Sequence, residues 1–435
     1  MAGRGPGELG WQFLGPVHKR VILRGIRDGV AYGGPFHLEL HPTDRCNLNC
    51  FFCSTRVLRS GCELDLSAIR RLVEDMRRAG TLSVCLSGGG EPLAHSRIAD
   101  ILDLLLRSGI RISNLTTNGL ALTRELASRL LDAHCDQLRI SLNCSSESDY
   151  SRMMQTDPAT FRRVLANLRG FLSERARRRV SRPEVIVQFL PYKANFRSIP
   201  EMAALAGDLG VDGIVFNGLA FLEEDGKMTG AETAEMLELF ERVLRVDEYR
   251  RIRGIHSLEQ DLASGLVEIE RRLGSERDRR TRARRLFDLV RRRDFTLGEK
   301  WRHHRRMRRR ARVQAILGTG DDPCVMPWYT LTVRADGSVP TCCVLQGSGA
   351  ERLEGRGLAG IWYGEKMDRL RSQMRRLIAE GSVWRFDPER DTEVRSMCSC
   401  AHPRAGRCHI RSFYYCWDLA FFRSLRNLAA ALDAT

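Results

Sequence analysis

The stretch HPTDRCNLNCFFC, His41 to Cys53, decides the reading of this chain. It sets three cysteines at the spacing Cys46-x3-Cys50-x2-Cys53, directly after a short β-rich run, FHLEL from Phe36. Three thiolates on one tight loop suit a 4Fe-4S cluster, which takes four ligands and so would keep one iron open. A zinc site more often shows paired CxxC knuckles or an added His at a matching spacing, and neither accompanies this triad.

Outward from that loop, as far as about Phe216, β-rich runs alternate with helical segments of 3.6 periodicity, the pattern of βα units. The further runs are LSVCL from Leu82, RISNLTT from Arg111, QLRISL from Gln137, VIVQFL from Val185 and GIVF from Gly213. Between them Ile69, Leu72, Val73 and Met76 share one helix face, as do Ile98, Ile101, Leu102 and Leu105, and again Phe161, Val164, Leu165 and Leu168. These stripes predict core. Six successive units without a Gly-rich dinucleotide loop favour an α/β fold of the partial (β/α)6 barrel type, whose ligands sit at the C-terminal ends of the strands.

The expected organisation is a lead-in over 1–35, the barrel over 36–225, a helical Arg-rich linker or insertion over 226–320 and a small β-hairpin plus helix domain over 321–435. In the last segment Asp336-Gly337 lies between two β-rich runs and predicts a tight hairpin.

The 435 residues carry 70 Lys and Arg against 54 Asp and Glu, a formal charge of +16. Arg271 to Arg312 alone holds 19 basic and 5 acidic residues, so the rest is nearly neutral. That segment reads as a solvated insertion, or as a docking surface for a polyanion or a protein. Fourteen cysteines over this length are too few for a disulfide-stapled scaffold, and the first residues show no apolar signal-peptide core. Reduced thiols and a cytoplasmic protein are expected. Even ILDLLLRSGI is broken by Asp103 and Arg107, far short of the about 18 apolar residues of a membrane span.

The chain resembles the radical S-adenosylmethionine (SAM) enzymes, whose signature CxxxCxΦC is matched by the triad with Phe52 at the aromatic position. The resemblance continues in SGGGEP after the second strand, where Gly89, Gly90, Glu91 and Pro92 match the GGE motif that lines the SAM amino group. Asn118 in TTNGL, Ser141 and Asn143 in RISLN, and Arg152 are similar to ribose- and carboxylate-contacting positions. It implies a cluster on Cys46, Cys50 and Cys53, SAM as cofactor, and an electron donor such as flavodoxin or ferredoxin.

The C-terminal spacing Cys324-x12-Gly337-x4-Cys342 resembles the opening of a SPASM/twitch domain, which holds an auxiliary iron-sulfur cluster. The continuation Cys398-x-Cys400-x7-Cys408-x7-Cys416 departs from the SPASM pattern, which leaves one or two auxiliary clusters, or a structural zinc, open. Cys62, Cys85 and Cys135 read as packing residues, as does Cys343 if it does not ligate. Cys144 ends the fourth strand and is a candidate hydrogen-atom donor.

The implied reaction is reductive SAM cleavage to a 5′-deoxyadenosyl radical that abstracts hydrogen from a substrate carbon. Because only 35 residues precede the first strand, where peptide maturases often carry a leader-binding domain, the expectation leans to a natural-product substrate. That would be a sugar or aminocyclitol, dehydrogenated by an oxidoreductase or inverted by an epimerase. The alternative is a maturase forming cross-links or thioethers in a ribosomally made precursor peptide. A non-enzymatic iron-sulfur protein binding nucleic acid through its Arg-rich segment is the third reading, and Glu91 with its GGE turn argues against it.

Overall fold

The computed structural model describes residues 11–53, 55–56, 59–216, scattered positions from 232 to 243, 325–341 and 350–379. Cys324, Cys342, Cys343, Cys398, Cys400, Cys408 and Cys416 lie outside the described residues, as does the Arg-rich segment.

Helix α1 (Pro16–Asp28) precedes β1 (His37–Leu40). There follow α2 (Leu66–Ala79), β2 (Ser83–Leu86), α3 (Ile98–Ser108), β3 (Arg111–Thr117), α4 (Arg124–Asp132) and β4 (Gln137–Ser141). The unit continues with α5 (Glu147–Met154), α6 (Ala159–Arg177), β5 (Glu184–Phe189), α7 (Ile199–Leu209) and β6 (Gly213–Phe216). All six expected strands form. They pair in parallel in the unbroken order β6-β5-β4-β3-β2-β1, with no reversal of the kind a doubly wound sheet shows. The helices follow the same sequence, α2 on α3, α3 on α4 and α4 on α6, so they cover one face of the sheet.

Local chemistry sets these boundaries. Asp65 caps α2 by accepting from Ala68 N at 2.7 Å, and Thr123 and Ser146 cap α4 and α5 in the same way. Gly80 ends α2 at φ +74°, a left-handed conformation that costs a side chain-bearing residue more. The three apolar stripes anticipated from periodicity are all buried, each side chain contributing roughly 1.5–3 kcal/mol by leaving water.

Alternation along the strands sorts the two faces. Leu38, Leu40, Val84, Leu86, Leu138, Ile140, Val185 and Val187 are buried toward the helices. The intervening residues Glu39, Cys85, Arg139, Ser141 and Gln188 lie on the opposite, inner face, and Asn114 joins them beside Cys85.

One expectation is corrected. The run from Thr330, read as half of a separate hairpin, is β7 (Thr330–Val333), which pairs in parallel with β1 from His37↔Thr330 to Leu40↔Val333. The six-stranded sheet therefore has a seventh strand. Its TLTV alternation buries Leu331 and Val333, matching the HLEL of β1, and it covers an edge that would otherwise present unpaired backbone groups. The Asp336-Gly337 turn does form, with Gly337 at φ +78° and Arg334 N donating to Ser338 O at 2.9 Å. Beyond it β8 (Ser338–Val339) pairs with β9 (Glu351–Arg352).

Helices α8 (Gly357–Trp362) and α9 (Glu365–Ala379) complete the described chain. Trp328 Nε1 donates to Val30 O at 3.1 Å and Trp362 Nε1 to Gly33 O at 3.0 Å, fastening this part to the segment that leads into β1. Arg371 is fully buried against the Trp362 ring, its charge answered by Asp368 at 2.7 Å. Among the described residues no helix is long and apolar enough to cross a membrane.

Candidate active site at the cysteine loop

The last carbonyls of an α-helix have no partner within it. In α5 the cysteine loop supplies them: Phe51 N donates to Met153 O and Asn49 N to Met154 O, both at 3.2 Å. Gln155 takes the left-handed cap position at φ +51°, and its Oε1 accepts from Asn49 Nδ2 at 2.9 Å and Arg56 Nη1 at 3.4 Å. On its other side the loop is tied by Asp44 N to Cys62 O at 2.9 Å and Leu64 N to Pro42 O at 3.0 Å. The triad thus sits on a braced loop at the C-terminal end of β1.

Cys46, Cys50 and Cys53 are free and half-buried, but their environments differ. The Cys50 thiol rests 3.1 Å from Met154 Sδ, and burial, helped by repulsion from Cys46 and Cys53, pushes it up to about 12. Burial also raises Cys46. At Cys53 burial works in the same direction, yet hydrogen bonds from Thr55 and the charge of Arg59 outweigh it and hold the thiol below its ordinary range. The Arg59 Nη2 to Cys53 Sγ distance is 3.2 Å. Among the described residues no group of three His, Cys, Asp or Glu side chains converges as a preformed metal site. Three soft thiol donors on one loop, within electrostatic reach of one another, fit a cluster by their chemistry.

The turn after β2 packs directly on this loop. Gly90 N donates to Thr43 O at 3.1 Å and Glu91 N to Arg45 O at 2.8 Å. A Cβ on Gly90 would stand 2.2 Å from Arg45 O, and one on Gly89 would stand 2.7 Å from Asp44 Oδ1. These glycines therefore serve the approach of two loops. Glu91 is 3% exposed and fully engaged: Oε1 accepts from Thr117 Oγ1 at 2.6 Å and Leu93 N at 3.0 Å, and Oε2 from Asn118 N at 2.7 Å. Burial lifts its carboxyl above the usual range against those bonds. Pro92 is buried and opens a short 3-10 turn after it.

The other anticipated positions are distributed unevenly. Phe52 stands on the triad loop edge-on to Phe51 and tilted on Tyr192. Asn118 reaches back to the loop, its Nδ2 donating to Asn47 Oδ1 at 2.7 Å. Ser141 donates to Gln188 Oε1 at 3.0 Å on the inner face. Asn143, at φ +58°, is buried and accepts from Leu190 N at 3.1 Å, tying the ends of β4 and β5. Arg152, with 61% of its side chain exposed, pairs with Asp149 at 2.6 Å on α5. Cys144 is 1% exposed with its thiol 3.1 Å from Met153 Sδ, packed in the core behind the loop, not at an open mouth.

Several contributors lie outside the motifs. Glu39 accepts from Ser87 Oγ at 3.0 Å and faces His41 Nε2 at 3.2 Å. Burial would raise it, but these partners hold it below the usual carboxylate range. With Asn114, Arg139 and Gln188 it makes the inner face polar. The signal was in the sequence: HLEL and QLRIS place polar residues at every second position, and VIVQF sets Gln188 among apolar ones. Arg59 and Gln155 carry no such signal, because no periodicity records that Arg59 will reach Gly89 or Gln155 reach Asn49 on another segment.

Residues 40–181 match the family model described as the radical SAM superfamily. The PqqA peptide cyclase of Gluconobacter oxydans is 31% identical over 179 residues, covering 40% of this chain and 47% of that protein. A probable GTP 3′,8-cyclase of Methanocaldococcus jannaschii is 26% identical over 175 residues, covering 40% of this chain and 55% of its own. The chain spans about half the length of the curated relatives it matches. In fold it is similar to SuiB of Streptococcus suis, solved bound to the precursor peptide SuiA. That likeness has a TM-score of 0.53 at 13% identity, over 90% of this chain and 75% of that one. The cysteine loop and the Gly-rich turn both fall within residues 40–181, the span that matches the radical SAM superfamily.

Proposed function

We propose that the chain is a radical SAM enzyme that modifies a ribosomally made peptide. The observation that carries the reading is the three-thiol loop braced at the C-terminal end of β1, between the Gly88–Glu91 turn and the end of α5. A 4Fe-4S cluster with SAM supplies, when bound, hydrogen-atom abstraction from an unactivated carbon. Cys46, Cys50 and Cys53 would hold the cluster. Gly89, Gly90, Glu91 and Asn118 shape the neighbouring SAM side, with Phe52, Pro92, Ser141, Asn143 and Arg152 as further candidate contacts. The polar inner face would orient the substrate. Cleavage consumes an electron, which a donor of the flavodoxin or ferredoxin kind would bring.

The names of the relatives support the peptide reading over the sugar or aminocyclitol one, and bond formation over epimerisation, since peptide and nucleotide cyclases are among them. Joining two substrate atoms removes two hydrogens. One leaves as an atom to the SAM-derived fragment, and the other as a proton and an electron that need an acceptor. An auxiliary cluster on Cys324, Cys342 and some of Cys398, Cys400, Cys408 and Cys416 is the proposed acceptor. In the test, the chain is co-expressed with short reading frames flanking its gene and the peptides are weighed. A peptide two hydrogens lighter, lost when the triad is changed to Ala, is expected. SAM cleavage that aminocyclitols stimulate and peptides do not would overturn the peptide assignment.

A further inference from the structure

The Arg59 side chain bridges the Cys53 corner of the triad loop and the Gly-rich turn. Its Nη2 donates to Cys53 Sγ at 3.2 Å, its Nη1 to Leu48 O at 3.0 Å and its Nε to Gly89 O at 3.3 Å. One planar fork therefore spans the third cysteine, the backbone between the first two and the Gly-rich turn. Thr55 follows the same path, with its hydroxyl 2.9 Å from Gly89 O and 3.2 Å from Cys53 Sγ. The Cys50 corner is unlike this one, since its thiol meets the neutral thioether of Met154.

We propose that Arg59 is a positioning residue for the triad's cluster, fixing the Cys53 corner and favouring the cluster's reduced state. This rests on the reading that the triad holds a 4Fe-4S cluster. Reduction adds one negative charge, and cluster potentials respond to net charge and to hydrogen bonds at sulfur. A guanidinium keeps its charge at any working pH and directs several donors in fixed directions. Arg59 is half-buried, so solvent screens that charge less than at an open surface. Lys would keep the charge and lose the fork. Gln would keep polarity and lose the charge.

The test is an EPR-monitored redox titration of the full chain, reconstituted anaerobically, as wild type, Arg59→Gln and Arg59→Lys. A Cys46, Cys50 and Cys53 to Ala variant identifies which signal belongs to the triad. At the potential where the wild-type triad cluster is half reduced, Arg59→Gln should lower its reduced-to-oxidised ratio by about tenfold. In iron-loaded Arg59→Lys that ratio should stay within about twofold of wild type, because the charge remains although the fork is lost. A ratio unchanged in an iron-loaded Arg59→Gln protein overturns the proposal. If Arg59→Gln binds no iron, Arg59→Lys decides: iron held at a near wild-type ratio supports the role. Iron lost, or a ratio fallen tenfold, overturns it. A wild-type chain with no triad-dependent signal would instead refute the cluster reading itself, before Arg59 is at issue.

Discussion

The Glu91 carboxylate accepts a 2.6 Å hydrogen bond from the hydroxyl of Thr117, so one buried side chain holds the turn after β2 to the end of β3. With Leu93 N and Asn118 N it receives three donors, and its burial makes each bond hard to replace by water. The Gly-Gly-Glu motif makes Glu91 a candidate contact for a SAM ammonium. In place it is also a brace between two loops of the site.

Glu91→Gln tests that second role. Whichever way the amide is turned, its NH2 faces a donor, either Asn118 N or the Thr117 and Leu93 groups. We expect a loss of about 1–3 kcal/mol in urea unfolding, the cost of a buried donor left unpaired. Unchanged stability with weaker SAM binding would reduce Glu91 to a ligand contact alone.

Gly90→Ala and Gly80→Ala form a matched pair. The first puts a Cβ 2.2 Å from the Arg45 carbonyl, whereas the second meets nothing within 4 Å and bears only the strain of φ +74°. Gly80→Ala should cost about 1 kcal/mol and leave iron content intact. Gly90→Ala should cost about 1–3 kcal/mol and lose triad iron, because the cysteine loop itself must shift. Iron analysis beside thermal unfolding checks both.

His37 is buried at the start of β1, stacked on Tyr329 and 2.9 Å from Ser83 Oγ. Burial lowers it from 6.5 to about 4 against the opposing pull of Glu39 and Ser83. Between those values the unfolded chain binds a proton that the folded one refuses, so stability is retained above 6.5 and lost as pH falls toward 4. The loss amounts to roughly 3 kcal/mol at most. His37→Gln should flatten that part of a stability-pH profile measured by urea midpoint.

Cys144→Ala should lower stability by about 1 kcal/mol, the effect of removing a small buried hydrophobe. It should leave 5′-deoxyadenosine formation and product yield unchanged, since its thiol is enclosed by Met153. Product lost while SAM cleavage continues, read by chromatography of both, would return Cys144 to the role of hydrogen donor.

The six strands from Phe36 to Phe216, the three apolar stripes and the turn at Gly337 were legible in the sequence, because each is set by spacing within about ten residues of itself. The triad and the Gly-rich turn were legible for the same reason, as residue types at short fixed intervals. What the tertiary structure decided are pairings between distant segments. TLTV from Thr330 chose the edge of β1 over a hairpin partner because an alternating strand fits any complementary edge, and only the assembled sheet offers one. Arg59 met Gly89 and Gln155 met Asn49, because the loops after β1, β2 and β4 converge at one end of the sheet. Side chains from remote positions acquire their charge environment and burial only there, and no periodicity records which of them will meet.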